Sequence, residues 1–124
     1  MNMNEWAREI HENAVNHGWW ESDRELPEIL MLIVSELSEA LEEARKGDML
    51  NGRISCMHYY SGGGYVANDI TACCKKPEGI AVEVIDALIR ILDWCGKEGL
   101  DVEALVKEKH EYNKTRPYKH GKIF

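Results

Sequence analysis

The segment Ile80-Ala81-Val82-Glu83-Val84-Ile85-Asp86-Ala87-Leu88-Ile89-Arg90-Ile91-Leu92-Asp93-Trp94 constrains this chain more than any other. As a helix it is apolar almost all the way round, which predicts burial on most sides. Its polar residues Glu83, Asp86, Arg90 and Asp93 fall at i, i+3, i+7 and i+10 and form one narrow stripe. A solvated face is wider and richer in Lys. Carboxylates on a buried helix are costly unless something pairs with them.

The remaining helices follow from periodicity and punctuation. Asn4 to about His17 carries Trp6, Ile10 and Ala14 at helical spacing, with Asn4 as the expected N-cap and Gly18 as the stop. Pro27 and Glu28 suit a first helical turn, and the apolar residues Leu30, Ile33, Val34, Leu37, Leu41 and Ala44 then recur at three and four up to Lys46. Gly47 follows as a terminator. Pro77-Glu78 is expected to open the third helix, which runs to about Lys97 before Gly99. Asp101 is the expected N-cap of a fourth, Val102 to about Lys114, stopped by Arg116-Pro117. The tail from Tyr118 to Phe124 is basic and irregular. The fold class is all-α: one domain over 1–124, a four-helix bundle with an irregular insertion at about 47–76 between helices 2 and 3. Within that insertion Ile54 to Tyr60 and Tyr65 to Thr71 lean towards β, and a loose hairpin around Gly62-Gly63-Gly64 is the expectation.

Helix 2 offers a match for the acidic stripe. Glu36 and Glu39 stand at i and i+3, beside the apolar stripe. Two helices that each present such a pair can gather four carboxylates, an arrangement that calls for a cation among them. Oxygen-only ligands point to a hard ion, Mg²⁺ or Mn²⁺. The plainer alternatives are a solvated ExxE pair on helix 2, and Arg90 neutralising Glu83 or Asp86 along helix 3. A di-iron bundle drops away, because neither Glu36 nor Glu83 is followed three residues later by His.

Glu36-Leu37-Ser38-Glu39 on one helix and Glu83-Val84-Ile85-Asp86 on the next resemble the ExxE…ExxD signature of the MazG-like, all-α NTP pyrophosphohydrolase superfamily. Lys76-Pro77-Glu78-Gly79-Ile80 and Tyr112-Asn113-Lys114-Thr115-Arg116-Pro117-Tyr118-Lys119-His120-Gly121 are similar to a small single-domain branch of it. The likeness runs from helix 1 to the C-terminus apart from the insertion. Ser35 departs from it, standing where many members carry a further Glu.

The resemblance implies hydrolysis of a nucleoside triphosphate (NTP or dNTP) to the monophosphate and pyrophosphate, in cleaning of the nucleotide pool. Glu36, Glu39, Glu83 and Asp86 are then the catalytic carboxylates and ligands of Mg²⁺, with one helix 2 glutamate as base. It also implies phosphate contacts from Lys109, Asn113 and Arg116, a base grip by His11 and Trp20, and assembly as a homodimer or tetramer. Sister activities on dCTP, dUTP or phosphoribosyl-ATP would use the same ligands. The rival from another class is a non-catalytic helical protein that binds a nucleotide or a partner.

Composition narrows the partners. A formal charge of −7 gives no reason to coat a nucleic acid polymer. The longest apolar run, Ile29 to Val34, is too short to span a bilayer. Met1 to Glu5 lacks the basic-then-apolar pattern of a signal peptide, so a cytoplasmic location is expected. Of four cysteines no two are spaced CxxC, which favours reduced thiols. Cys56, His58, Cys73 and Cys74 match no zinc finger or ribbon, and no Gly-Lys-Ser/Thr follows the Gly62–Gly64 run as a phosphate loop requires. A lid is the expected role of the insertion.

Overall fold

In a computed structural model the protein is described at residues 1–45, 49–50, 53–54, 59–60 and 77–124. Four α-helices carry the described chain: α1 (Met3–Asn16), α2 (Leu26–Arg45), α3 (Ile80–Glu98) and α4 (Val102–Lys114). A short 3₁₀ turn, Tyr118–Gly121, follows them. Two-residue strands form two small antiparallel ladders. β1 (Met49–Leu50) pairs with β2 (Arg53–Ile54), and β3 (Tyr59–Tyr60) pairs with β4 (Pro77–Glu78). The all-α expectation therefore holds. Gly47, the Gly62–Gly64 run, the Tyr65 to Thr71 piece and Cys56, His58, Cys73 and Cys74 lie outside the described residues. No helix among the described residues is long and apolar enough to cross a membrane.

The chain divides into two compact units, Met1–Trp19 with Leu92–Phe124, and Trp20–Ile91. In the first, Ala7, Leu92, Cys95 and Val102 form the buried core, with Met3, Ile10, Trp94 and Leu100 packed against it. The backbones of α1 and α3 come close at Gly96, where a Cβ would press on the carbonyl oxygen of Ala7 and lie 2.7 Å from His11 Cβ. Only glycine fits there. Burial pushes the Cys95 thiol above its ordinary value, as suits a reduced core cysteine.

Helix ends refine the sequence boundaries. The N-cap of α1 is Asn2, not Asn4: its side chain accepts from Glu5 N–H, and the Glu5 carboxylate accepts from Asn2 N–H, a reciprocal capping box. Asn4 caps a different helix. Its Oδ1 accepts from Val102 N–H at 2.7 Å, and its Nδ2 donates to Asp101 Oδ1 at 2.9 Å. Asp101 in turn accepts from Ala104 N–H, as expected of the α4 N-cap. Both α1 and α3 end in Schellman bonds: Trp19 N–H to Ala14 C=O with Gly18 N–H to Val15 C=O, and Leu100 N–H to Cys95 C=O with Gly99 N–H to Gly96 C=O.

The start of α3 is a second correction. Pro77-Glu78 lies in β4, and the helix begins at Ile80. Gly79 sits at φ +119°, where a side-chain-bearing residue is strained, and its carbonyl accepts the first helical bond from Glu83 N–H. The chain therefore turns at Gly79 from strand into helix.

In the second unit, burial departs from the sequence expectation. On α2 the buried residues are Ile29, Glu36 and Ala40, whereas Leu30, Val34, Leu37 and Leu41 of the anticipated core stripe are 48–54% exposed. On α3, Val84, Ile85, Leu88 and Ile89 are also exposed while Glu83 and Ala87 are buried. Within one chain the covered side of α2 carries Glu36 and that of α3 carries Glu83.

Candidate functional site

Glu36 and Glu39 project from successive turns of α2, and Glu83 and Asp86 from the first turns of α3. One oxygen from each of Glu36, Glu39 and Glu83 lies within 4.8 Å of the others. Glu36 and Glu83 are each only 9% exposed, while Glu39 is open to solvent. Asp86 is half-buried and close enough for its charge to act on Glu83, though it is not one of those three.

This crowding is costly in electrostatic terms. Burial, a hydrogen bond with Glu39, and the charges of Glu39, Asp86 and Glu36 together raise Glu83 from 4.5 to about 7. Below about pH 7 Glu83 therefore keeps its proton. Arg90, two turns along α3 from Glu83, supplies the other compensation: its Nε donates to Glu36 Oε1 at 2.6 Å. Sequence spacing suggests that Arg90 neutralises Glu83 or Asp86 on its own helix, but its recorded ion pair crosses to α2.

The donor set could hold a cation, and its ligand type would suit a hard one. It is all carboxylate, it comes from two rigid helices, and its oxygens are near enough to share one ion. Glu36, Glu39 and Glu83 are the residues that could hold one, with Asp86 adjoining.

The other anticipated residues are placed as follows. His11 Nδ1 donates to Asp93 Oδ1 at 2.7 Å, both side chains being largely buried, so the last polar residue of the α3 stripe is a partner of α1. Trp20 is half-buried, with the Arg24 guanidinium 5.7 Å from its ring centroid. Lys109 and Asn113 share one open hollow of about 350 Å³ on α4, lined also by Leu105, Val106 and His110. Lys109 and Arg116 both lie over the Tyr112 ring, at 5.0 and 5.8 Å. Asn113 Oδ1 is buried with no hydrogen-bond partner among the described residues. That oxygen calls for a donor, so a phosphate, which only accepts, would have to meet the amide nitrogen of Asn113 instead.

Comparison with protein-family models, with curated proteins and with solved structures finds no match to this chain. The functional reading thus stands on the motifs and on the geometry above.

Two partnerships escape sequence reasoning, Arg90 with Glu36 and His11 with Asp93. The stripe marks Arg90 and Asp93 as unusual, but a helix period names neighbours only within its own helix. Partners on α2 and α1 carry no such signal.

Proposed function

We propose that this chain is a Mg²⁺-dependent nucleoside triphosphate pyrophosphohydrolase, resembling the MazG-like family, which converts an NTP or dNTP to the monophosphate and pyrophosphate in the cytoplasm and so cleans the nucleotide pool. The observation that carries the reading is the meeting of Glu36, Glu39 and Glu83 from α2 and α3, the acidic pairs that the resemblance marks. Bound Mg²⁺, or Mn²⁺, would neutralise phosphate oxygens and lower the pKa of a coordinated water. The chain's own part is to hold the carboxylates in place and to take a proton on one glutamate of α2. Lys109, Asn113 and Arg116 serve phosphate oxygens in this reading, and His11 and Trp20 serve the base.

The proposed assembly is a homodimer or tetramer that completes the helical bundle. Leu30, Val34, Leu37 and Leu41 support it: spaced four, three and four apart, they form a seam of half-exposed apolar side chains of the kind that helices bury against a partner.

The test is pyrophosphate release from a panel of ribo-, deoxy- and modified triphosphates, with Mg²⁺ and then with EDTA. Metal-dependent release of pyrophosphate from at least one of them is expected. Turnover of none would transfer the assignment to a non-catalytic binding protein.

A further inference from the structure

Arg90 is not one of the carboxylates gathered for a cation, yet its Nε donates to one of them, Glu36 Oε1, at 2.6 Å. The pair is sheltered, with the side chains 34% and 12% exposed. Arg90 also shares α3 with Glu83 and Asp86, at seven and four residues' distance. One rigid helix therefore carries two of the acidic residues and the clamp on a third.

A glutamate side chain has three torsions and, left alone, samples several rotamers. A guanidinium held against one oxygen removes that freedom and still leaves the second oxygen for a ligand, since a carboxylate accepts on both. We propose that Arg90 is a positioning residue of the cluster: by holding Glu36 Oε1 it sets the orientation in which that carboxylate meets a divalent cation, without touching the cation itself. This rests on the metal-dependent reading above.

The alternative role for Arg90 is a counter-charge that merely keeps the empty cluster from flying apart. The two roles differ in sign. A positive charge beside a cation site opposes the cation, so removing a mere counter-charge tightens metal binding. Removing a positioning group weakens it.

The test is Mn²⁺ binding to the full chain by titration calorimetry and by loss of the free Mn²⁺ paramagnetic resonance signal, with thermal unfolding in EDTA as the control for folding. Arg90→Gln is expected to bind Mn²⁺ about 10- to 100-fold more weakly than wild type, the range typical of groups that orient metal ligands. The apparent Mn²⁺ requirement for turnover should rise in parallel, while kcat at saturating Mn²⁺ stays within a few-fold. Arg90→Lys keeps the charge but loses the planar fork, so it should fold and recover only part of the affinity. With Glu36→Gln already present, Arg90→Gln should cause no further loss.

Equal or tighter Mn²⁺ binding by Arg90→Gln would overturn the proposal while leaving the metal site standing. If Arg90→Gln does not fold, Arg90→Lys decides, and full wild-type affinity there overturns it. Wild-type protein that binds no Mn²⁺ at millimolar concentration overturns both the proposal and the reading on which it rests.

Discussion

Glu39 and Glu83, on different helices, are joined by a hydrogen bond between two carboxyl groups, a bond that lasts only while one of them keeps a proton. Glu83 is raised to about 7, from 4.5 in a solvated chain. The folded state therefore holds more protons than the unfolded state between those values. Stability from this source is complete below about pH 4.5 and is lost as the pH rises through 7. Metal-free protein in EDTA should unfold at a lower temperature at pH 8 than at pH 6. Glu83→Gln should flatten that dependence, and millimolar Mg²⁺ should restore stability at pH 8. Thermal unfolding followed by circular dichroism across pH 5–8 measures all three.

Alanine at Glu83 or Asp86 removes a proposed ligand from α3. Pyrophosphate release is expected to fall to background, with the helical circular-dichroism signal retained. Wild-type rates in either variant would remove these carboxylates from the chemistry.

Asn4 reaches across about a hundred residues of sequence to cap α4 through Val102 N–H and to brace Asp101. Asn4→Ala should cost about 1–2 kcal/mol, as the loss of a helix cap does. Asn4→Asp should also destabilise, because it keeps the acceptor for Val102 but sets a second carboxylate against Asp101 where the amide donor stood. Denaturant unfolding of the three proteins gives the comparison.

Gly96 offers a test of sign. Alanine is the better helix former by about 1 kcal/mol, so Gly96→Ala on a solvated helix would stabilise. Here its Cβ meets the Ala7 carbonyl and His11 Cβ, and both belong to packed helix rather than to flexible side-chain ends. Overpacking of this kind costs about 1–3 kcal/mol, and a net loss of stability is expected in urea titration. An unchanged or higher midpoint would mean that α1 and α3 do not approach at Gly96.

Leu37 lies in the middle of the half-exposed seam on α2. Leu37→Lys should leave the chain folded but shift it from the assembled to the monomeric size in sedimentation or light scattering. Wild-type protein that is already monomeric at high micromolar concentration would refute the proposed assembly.

Each helix was legible as a segment because periodicity and terminators are local. Asn and Asp caps, a first-turn proline and glycine stops act within a few residues, so α2 and α4 begin and end close to where the chain signals it. The misplaced starts have specific causes. Asn2 and Asn4 are equally good caps by residue type, and the choice fell to Glu5, which closes a box with Asn2, and to α4, which uses Asn4. Pro77 fits a helix's first turn as well as it fits a strand, and pairing with Tyr60 together with the backbone at Gly79 decided for the strand.

By itself the sequence determined that the fold is carried by helices and that two of them bear acidic pairs one turn apart, because a helix repeats every few residues and those positions are fixed by counting. Which side of each helix is covered was decided by tertiary packing. Leu30 and Val34 look like core residues by period, but the side that α2 buries carries Glu36 and Ala40. The partners of Arg90 and His11 were likewise settled in three dimensions. Covalent neighbours set the local geometry of a chain, whereas burial and ion pairing depend on residues that are distant in sequence and adjacent only once the helices have packed.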